Sequence, residues 1–388
     1  MRAVVKAVKQ NYSPTPEVLM LLESFRSMLN QCVRIGLETN ATSMKSLSLK
    51  TYKQLCHYDV LSCYKLCASS AAAGILRNYH KAKRKSPNTK IPYCHREQLT
   101  TCYGFKIHDG KLWLPLRFHE QIPISLTPHT LAVLAEFNVR SVTLTARTLS
   151  ISYSKETAEI EPTGYIGIDR NLNNVTTASS DGHTEQLDLS EATRIKAQCR
   201  ETKHHMKRND VRVRRRVFGK YGRIQKNKVQ QILHHTSKLI VGEAKEKQVG
   251  IVMENIKNIR RLYRKGNWQG KKYRATMNSW SYAELQRQIE YKARWEGIPI
   301  IYVPPHGTSS KCSICGSRMT RIPEENRKLQ CPSCGYMIDR DVNAARNILA
   351  RGLRFGPIAS PVEAMVSVFN PPVDGDELTH VEACDPTS

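Results

Sequence analysis

The 388-residue chain lacks any apolar stretch of the 18 or more residues that a membrane-spanning helix needs, and its first residues lack the apolar core of a signal peptide. We therefore expect no membrane segment, and a protein that folds in the cytoplasm. Acidic residues are also scarce, since 34 Asp and Glu stand against 60 Lys and Arg. The resulting net charge is +26, so the positive side chains repel one another unless a polyanion neutralises them.

Nucleic acid is the polyanion that the charge pattern favours. Binding to an anionic membrane would need basic helices with bulky apolar anchors, which the basic runs do not have. Residues 194–228 hold fourteen Lys and Arg against two acids, and residues 256–274 hold eight against none. Runs this lopsided predict a track for phosphates. The candidate contacts are Arg212, Arg214, Arg215, Arg216, Lys220, Arg223, Arg260, Arg261 and Arg264.

Aromatic residues and the final segment add two further expectations. Tyr263, Trp268 and Tyr273 lie within the second basic run, where they could stack on unpaired bases or pack in a core. Residues 361–388 contain six acids and no Lys or Arg, together with several prolines. That composition predicts a disordered acidic tail, and it leaves the rest of the chain more basic than the total of +26 suggests.

Cysteines are plentiful, but only four of the twelve form a pattern. Cys312 and Cys315 make one C-x-x-C pair, and Cys331 and Cys334 make a second after fifteen intervening residues. Two such pairs complete a tetrahedral four-cysteine zinc site, which is closed and therefore structural. A redox dithiol would need only one pair. The other eight cysteines are expected to be reduced thiols.

Apolar periodicity divides the chain into a β unit with a helical insert and an α/β region. Hairpin signals such as Asp109-Gly110 place a β unit at residues 1–10 and 93–160, with a helical insert at residues 11–92. From Gly164 onward, buried strands alternate with helices, which predicts an α/β fold. The strands are predicted near 165–169, 175–179, 249–254 and 298–303. A long basic helical region is predicted at about 190–247, and helices are predicted at 281–296 and 341–353.

Three acids stand where these strands end or where a helix begins, namely Asp169, Glu254 and Asp341. Adjacent strand ends converge on one edge of a sheet, so three carboxylates there could hold two divalent cations for phosphodiester hydrolysis. Hard oxygen ligands suit Mg²⁺ or Mn²⁺. The competing interpretation is that such acids are turn or capping residues, and that Asp339 and Asp341 only favour the dipole of the helix they precede.

The segments around these acids resemble the three RuvC motifs of the TnpB family, transposon-encoded RNA-guided nucleases related to miniature type V CRISPR effectors. They are Gly167-Ile168-Asp169-Arg170-Asn171-Leu172, Val252-Met253-Glu254-Asn255-Ile256, and Asp341-Val342-Asn343-Ala344-Ala345-Arg346-Asn347-Ile348. The resemblance is strong over about 164–350 and rests on size and layout over 1–160. It implies that Asp169, Glu254 and Asp341 are the catalytic, magnesium-binding acids of an active enzyme.

The resemblance also implies an architecture and a set of partners. A ribonuclease-H-like (RuvC) α/β nuclease would cover residues 161–306 and 336–360, with the zinc ribbon inserted at 307–335. The β unit would be a barrel-like wedge that, with its helical insert, recognises a motif beside the target. Implied partners are a guide RNA from the element and double-stranded target DNA, bound by a monomer in the prokaryotic cytoplasm, where it acts on the nucleoid.

Three other functions remain open at this point. One is a non-cleaving RNA-guided DNA-binding regulator, which the presence of all three acids disfavours. Another is a DNA-strand transferase, a transposase in the strict sense, which uses the same carboxylate chemistry. A plain zinc-ribbon regulator is the third, and it leaves the placement of the acids unexplained.

Overall fold

The computed structural model describes residues 2–117, 119–206, 210–256, 259–264, 266–323 and 325–354. These form two compact units, residues 3–156 and residues 157–354, with Arg2 counted in the second. The predicted acidic tail at 361–388 and the end of the predicted nuclease segment, 355–360, lie outside the described residues. None of the described helices combines the length and apolar character needed to cross a bilayer.

The first unit begins with one strand and three helices. A first strand β1 (Arg2–Asn11) is followed by α1 (Pro16–Glu38), α2 (Met44–Leu55) and α3 (Ser62–Lys85). Pro16 opens α1, and the Ser43 hydroxyl accepts from the backbone N–H of Ser46 to cap α2. A Cβ added at Gly36 would collide with the side chain of Leu76, so this glycine allows α1 and α3 to pack closely.

The rest of the first unit forms two separate sheets. Its elements are β2 (Gln98–Thr101), β3 (Lys106–His108), β4 (Lys111–Arg117), β5 (Glu120–Ser125), α4 (Pro128–Leu134), β6 (Asn138–Thr145) and β7 (Thr148–Thr157). The strand orders are β1-β7-β6-β2 and β3-β4-β5. The predicted hairpin at Asp109-Gly110 is confirmed, since His108 pairs with Lys111 and both turn residues have positive φ. The barrel-like form of the β unit stays a prediction.

A five-stranded sheet organises the second unit. Its strands are β8 (Tyr165–Arg170), β9 (Asn174–Ser179), β10 (Thr184–Asp188), β11 (Gly250–Glu254) and β12 (Ile300–Val303). Their order is β10-β9-β8-β11-β12, and β8, β11 and β12 run parallel. The predicted α/β fold is therefore confirmed, although β10 was not predicted because Thr184-Glu185-Gln186 has no apolar alternation.

Helices cover both faces of this sheet. The helices of this unit are α5 (Ser190–His204), α6 (Gly219–Glu246), α7 (Lys271–Asn278), α8 (Tyr282–Trp295) and α9 (Arg340–Arg354). Of these, α7 has no buried residue and does not belong to the layers on the sheet. Ile251 and Met253 join the core beneath α6 and α8, whereas Val252 faces the opposite side and packs with Ile348 of α9. The predicted helical region at 190–247 contains two helices, and a π-helical turn (Val213–Phe218) leads into the second.

A small three-stranded sheet lies between β12 and α9. It consists of β13 (Thr320–Ile322), β14 (Glu325–Gln330) and β15 (Met337–Asp339) in sequential antiparallel order. Met319 and Leu329 pack with Cys312 and Cys331 to form its core. The sheet continues to Asp339, so the ribbon ends directly at the first residue of α9.

Candidate active site

Two of the three predicted acids end neighbouring parallel strands. Asp169 lies near the end of β8, and Glu254 is the last residue of β11. In the strand register Ile168 is opposite Met253, so the next residue on each strand is one of the two acids. Both acids are 9% exposed, which places their carboxylates at a shielded edge of the sheet.

The third acid is brought to the same edge by close packing of α9. A Cβ added at Gly167 would lie 2.5 Å from the carbonyl oxygen of Ala345, and one added at Gly352 would collide with Val252. Both glycines are therefore required for α9 to lie directly on β8 and β11. Asp341, in the first turn of α9, is 1% exposed.

The electrostatics show that these carboxylates interact. Burial, followed by repulsion from Glu254, raises the pKa of Asp169 to about 7, and Asp341 adds to the repulsion. Burial also raises the pKa of Glu254, against the lowering effects of Thr308 and Arg170. The structure thus brings Asp169, Glu254 and Asp341 to the same edge of the sheet, where the other two acids repel Asp169. Their oxygen atoms are not gathered as closely as the cysteine sulfur atoms described below.

Each carboxylate is oriented by a neutral donor that the sequence patterns did not single out. The side-chain amide of Asn171 donates to Asp169 Oδ2 at 2.8 Å, and that of Asn174 donates to Asp341 Oδ2 at 3.1 Å. The hydroxyl of Thr308 donates to Glu254 Oε1 at 2.6 Å. Asn171 stands within the quoted motif, two residues after Asp169, which is the signal that could have identified it.

A buried arginine joins the strand ends to α8. Arg170 is 2% exposed, and its Nη2 donates to the backbone oxygen of Glu254 at 2.6 Å. Its Nη1 donates to Gln286 Oε1 at 2.6 Å. Because burying an unpaired guanidinium is costly, these bonds hold β8, β11 and α8 in one arrangement.

Asp339 and Asp341 have different roles. The Asp339 carboxylate accepts from the backbone N–H groups of Asp341 and Val342 at 2.8 and 3.2 Å, so Asp339 caps α9. The capping interpretation is therefore correct for Asp339. Asp341 instead forms ion pairs with Arg327 of β14 and with Arg340, the latter at 3.2 Å.

Two asparagines of α9 bind the segment that leads into the ribbon. The Asn343 side chain accepts from the Ser313 backbone N–H at 3.0 Å and donates to the Lys311 carbonyl at 2.8 Å. Asn347 donates to the carbonyls of Thr308 and Lys311 at 2.8 and 2.7 Å. The asparagines of the third motif therefore hold the segment 308–313 in place. Thr308, which donates to Glu254, belongs to this segment.

The four predicted zinc cysteines converge. Their sulfur atoms all lie within 4.8 Å of one another; Cys312 Sγ is 3.8 Å from Cys334 Sγ, and Cys315 Sγ is 3.4 Å from Cys331 Sγ. Tetrahedral zinc with Zn–S bonds of about 2.3 Å sets sulfur atoms roughly 3.8 Å apart, so the cluster fits a zinc ion. The backbone N–H of Ser317 lowers the pKa of Cys315 to about 6, whereas, against the backbone N–H of Tyr336, burial and the neighbouring thiols raise the pKa of Cys334 to about 12. The fit to zinc therefore rests on the positions of the sulfur atoms.

The predicted phosphate contacts are all exposed, and they fall on two segments. Arg212, Arg214, Arg215, Arg216, Lys220 and Arg223 lie at the π-helical turn and the start of α6, whereas Arg260, Arg261 and Arg264 lie in or beside the short helix Ile259–Tyr263. Among the described residues, no carboxylate forms an ion pair with any of these side chains. Trp268 is fully exposed, so packing in a core is excluded for this aromatic.

Comparisons with known proteins agree with this geometry. Residues 282–348 match the family model of the Cas12f1-like TNB domain. The TnpB-like protein MJ0751 of Methanocaldococcus jannaschii is 33% identical over 207 residues, which are 51% of this chain and 73% of that relative. The chain belongs to the TnpB family.

This TnpB-family chain also matches part of a larger nuclease and a solved effector structure. It is 38% identical over 120 residues to the CRISPR-associated endodeoxyribonuclease Cas12f1 of Sulfoacidibacillus thermotolerans, covering 30% of this chain but only 25% of that relative. A cryo-EM structure of a Cas12f1–sgRNA–target DNA complex aligns with a TM-score of 0.58 and 16% identity, covering 86% of this chain and 81% of that one. This likeness shows a shared fold.

Proposed function

We propose that this TnpB-family protein is an RNA-guided DNA endonuclease that cuts guide-matched DNA next to a short motif. The observation that carries the proposal is the convergence of the buried carboxylates of Asp169, Glu254 and Asp341. Relatives whose names specify DNA cleavage support the reaction, and the effector structure with guide RNA and target DNA supports the partners. A net charge of +26 suits a protein that binds both.

Asp169, Glu254 and Asp341 would hold the catalytic cations, and their hard oxygen donors suit Mg²⁺ or Mn²⁺. Two bound cations would supply an activated water and stabilise the leaving oxygen of phosphodiester hydrolysis. The chain itself orients the carboxylates through Asn171, Asn174 and Thr308. Supporting contacts of this kind commonly change metal affinity or activity by about 10–100-fold.

The zinc ribbon would have a structural role. Its four cysteines leave no open ligand position, and its knuckle is attached to α9 through Asn343. Zinc would therefore stabilise the start of the helix that carries Asp341, and would place Arg327 beside that carboxylate. Residues 1–160 would recognise the motif and the guide–target hybrid, and the protein would act as a monomer.

The proposal is tested by plasmid cleavage. The protein is coexpressed with the DNA that flanks its gene, purified with its bound RNA, and given a matched target library in Mg²⁺. We expect RNA-dependent double-strand breaks that Asp169→Ala and Glu254→Gln abolish. Asp181→Asn is the matched control, because Asp181 is exposed and pairs with Lys247, away from the three acids.

A further variant tests the assignment of the supporting residues. Thr308→Val removes the hydroxyl that donates to Glu254 while keeping the shape of the side chain. It should raise the Mg²⁺ concentration required for cleavage by about 10–100-fold and leave RNA binding unchanged. In the plasmid assay, bound RNA with target binding but no cleavage would support the non-cleaving regulator. Joined DNA ends would support the strand transferase. A protein that purifies without RNA would refute the guided reaction.

A further inference from the structure

A large basic groove lies among α5, α6 and the turn between α7 and α8. Its volume is about 990 Å³. Its lining includes one acid, Glu284, whose carboxylate already pairs with Arg287 at 2.6 Å and accepts from Gln230 at 2.9 Å. The cationic side chains in the lining are Lys196, Arg200, Lys203, Lys226, Arg260 and Arg287. The groove is therefore strongly positive.

Four of these cations have no internal counter-charge. Within the part of the chain that the structure describes, no carboxylate lies within 4.0 Å of Arg200, Lys203, Lys226 or Arg260. Lys196 differs, because its amine donates to the carbonyl of Ser279 and the hydroxyl of Ser281 and so braces the turn. Unpaired cations that face one groove from three elements favour a polyanion as its ligand.

Aromatic side chains at the groove favour a single strand over a duplex. Phe218, from the π-helical turn, and Trp280, from the α7–α8 turn, are half-buried in its lining. Cations combined with aromatic faces are the usual composition of a surface that binds unpaired nucleotides, because every base can stack on a ring.

Hydrogen bonds connect this groove to the carboxylates. Trp280 Nε1 donates to the backbone oxygen of Asn171 at 2.8 Å, and the side chain of Asn171 donates to Asp169 at 2.8 Å. Arg170 connects the start of α8 to the end of β11 in the same way. The wall of the groove and the carboxylate edge are thus separated by a single residue, Asn171.

We infer that this groove binds the sugar-phosphate backbone of the single DNA strand that is presented to the three acids. Its proximity to Asp169 favours the strand to be cut over the guide RNA, because the scissile phosphate must reach the carboxylates. The inference rests on the proposed function for the identity of the strand. Arg200, Lys203 and Lys226 would bind phosphates, and Trp280 would place the strand relative to Asp169.

The test measures binding of a short fluorescein-labelled oligothymidine to the full-length protein with its copurified RNA, by fluorescence anisotropy over a salt series. Arg200→Glu and Lys226→Glu should each weaken binding about tenfold, as expected for loss of a charged contact. Arg200→Gln and Lys226→Gln, which remove the charge but keep a polar side chain, should lower the slope of log affinity against log salt by about 0.7 each. Lys238→Glu is the control, because Lys238 is exposed on α6 but does not line the groove.

Equal losses in Lys238→Glu, or full affinity in the groove variants, would overturn the inference. A photo-crosslinking residue at Phe218 should join to DNA during target cleavage, and an adduct with RNA alone would assign the groove to the guide instead. Oligonucleotide affinity does not require guided cleavage. If the unmodified protein does not cleave plasmid but the groove variants still bind the oligonucleotide more weakly than it does, only the proposed function is refuted.

Discussion

Replacement of Asp169 by asparagine should stabilise the cation-free protein. Burial and the neighbouring acids raise the pKa of Asp169 from 3.8 to about 7. Between these values the folded state binds more protons than the unfolded state, so this group lowers stability as the pH rises through that window. Above pH 7 the cost approaches about 3 pKa units, or about 4 kcal/mol, whereas at pH 5 it is about 2 kcal/mol.

The measurement is urea denaturation in EDTA, followed by tryptophan fluorescence at both pH values. Asp169→Asn should gain up to about 4 kcal/mol at pH 8 and roughly half of that at pH 5. Asp181→Asn is the control of opposite sign, because the bond with Lys247 lowers the pKa of Asp181 to about 2. A gain that is absent, or equal at the two pH values, would refute the account of the site as a cluster of mutually repelling carboxylates.

Three further changes test the packing and the ribbon. Gly167→Ala should destabilise the protein by about 1–3 kcal/mol and reduce Mn²⁺ binding measured by calorimetry, because the added methyl would push α9 from β8; Gly242→Ala, with open space around it, should do neither. Cys331→Ser should lower the zinc content measured by atomic emission from about one ion per chain and reduce the melting temperature, unlike Cys56→Ser at an exposed site. Asn343→Ala should cost about 1–3 kcal/mol in urea denaturation, since the Ser313 N–H loses its partner and the Lys311 carbonyl keeps only Asn347 as a donor; a change no larger than that of the exposed Asn227→Ala would contradict this.

The sequence predicts those parts of the site that depend on strand ends and cysteine spacing. Apolar runs identify β8 and β11, and because parallel strands end at one edge, they also predict that Asp169 and Glu254 are neighbours. The cysteine pairs have a spacing that zinc chemistry explains without a structure. Apolar periodicity likewise locates α8 to within a few residues.

The features that periodicity misses are those determined by tertiary contacts. Thr308 is 54 residues from Glu254, and Asn174 is 167 residues from Asp341, so neither bond has a local signal. The sequence also does not locate the break between α5 and α6. Lysine and arginine favour helix throughout this region, so their run gives no sign of where one helix ends and the next begins. Ribbon strands such as β13, three residues long, are too short for alternation to be recognised.

The four-cysteine ribbon and the three acids are held together by direct contacts. Asn343 and Asn347 bind the segment that runs from the end of β12 to the first knuckle, and Thr308 on that segment holds Glu254. Arg327, on the central ribbon strand, pairs with Asp341, while Asp339 ends the ribbon and caps the helix that carries Asp341. Loss of zinc should therefore disturb Glu254 and Asp341, although the cysteines themselves have no role in the proposed reaction. Asp169 is attached differently, through Asn171 to the wall of the basic groove, so substrate binding and ribbon folding would each control a separate part of the same catalytic edge.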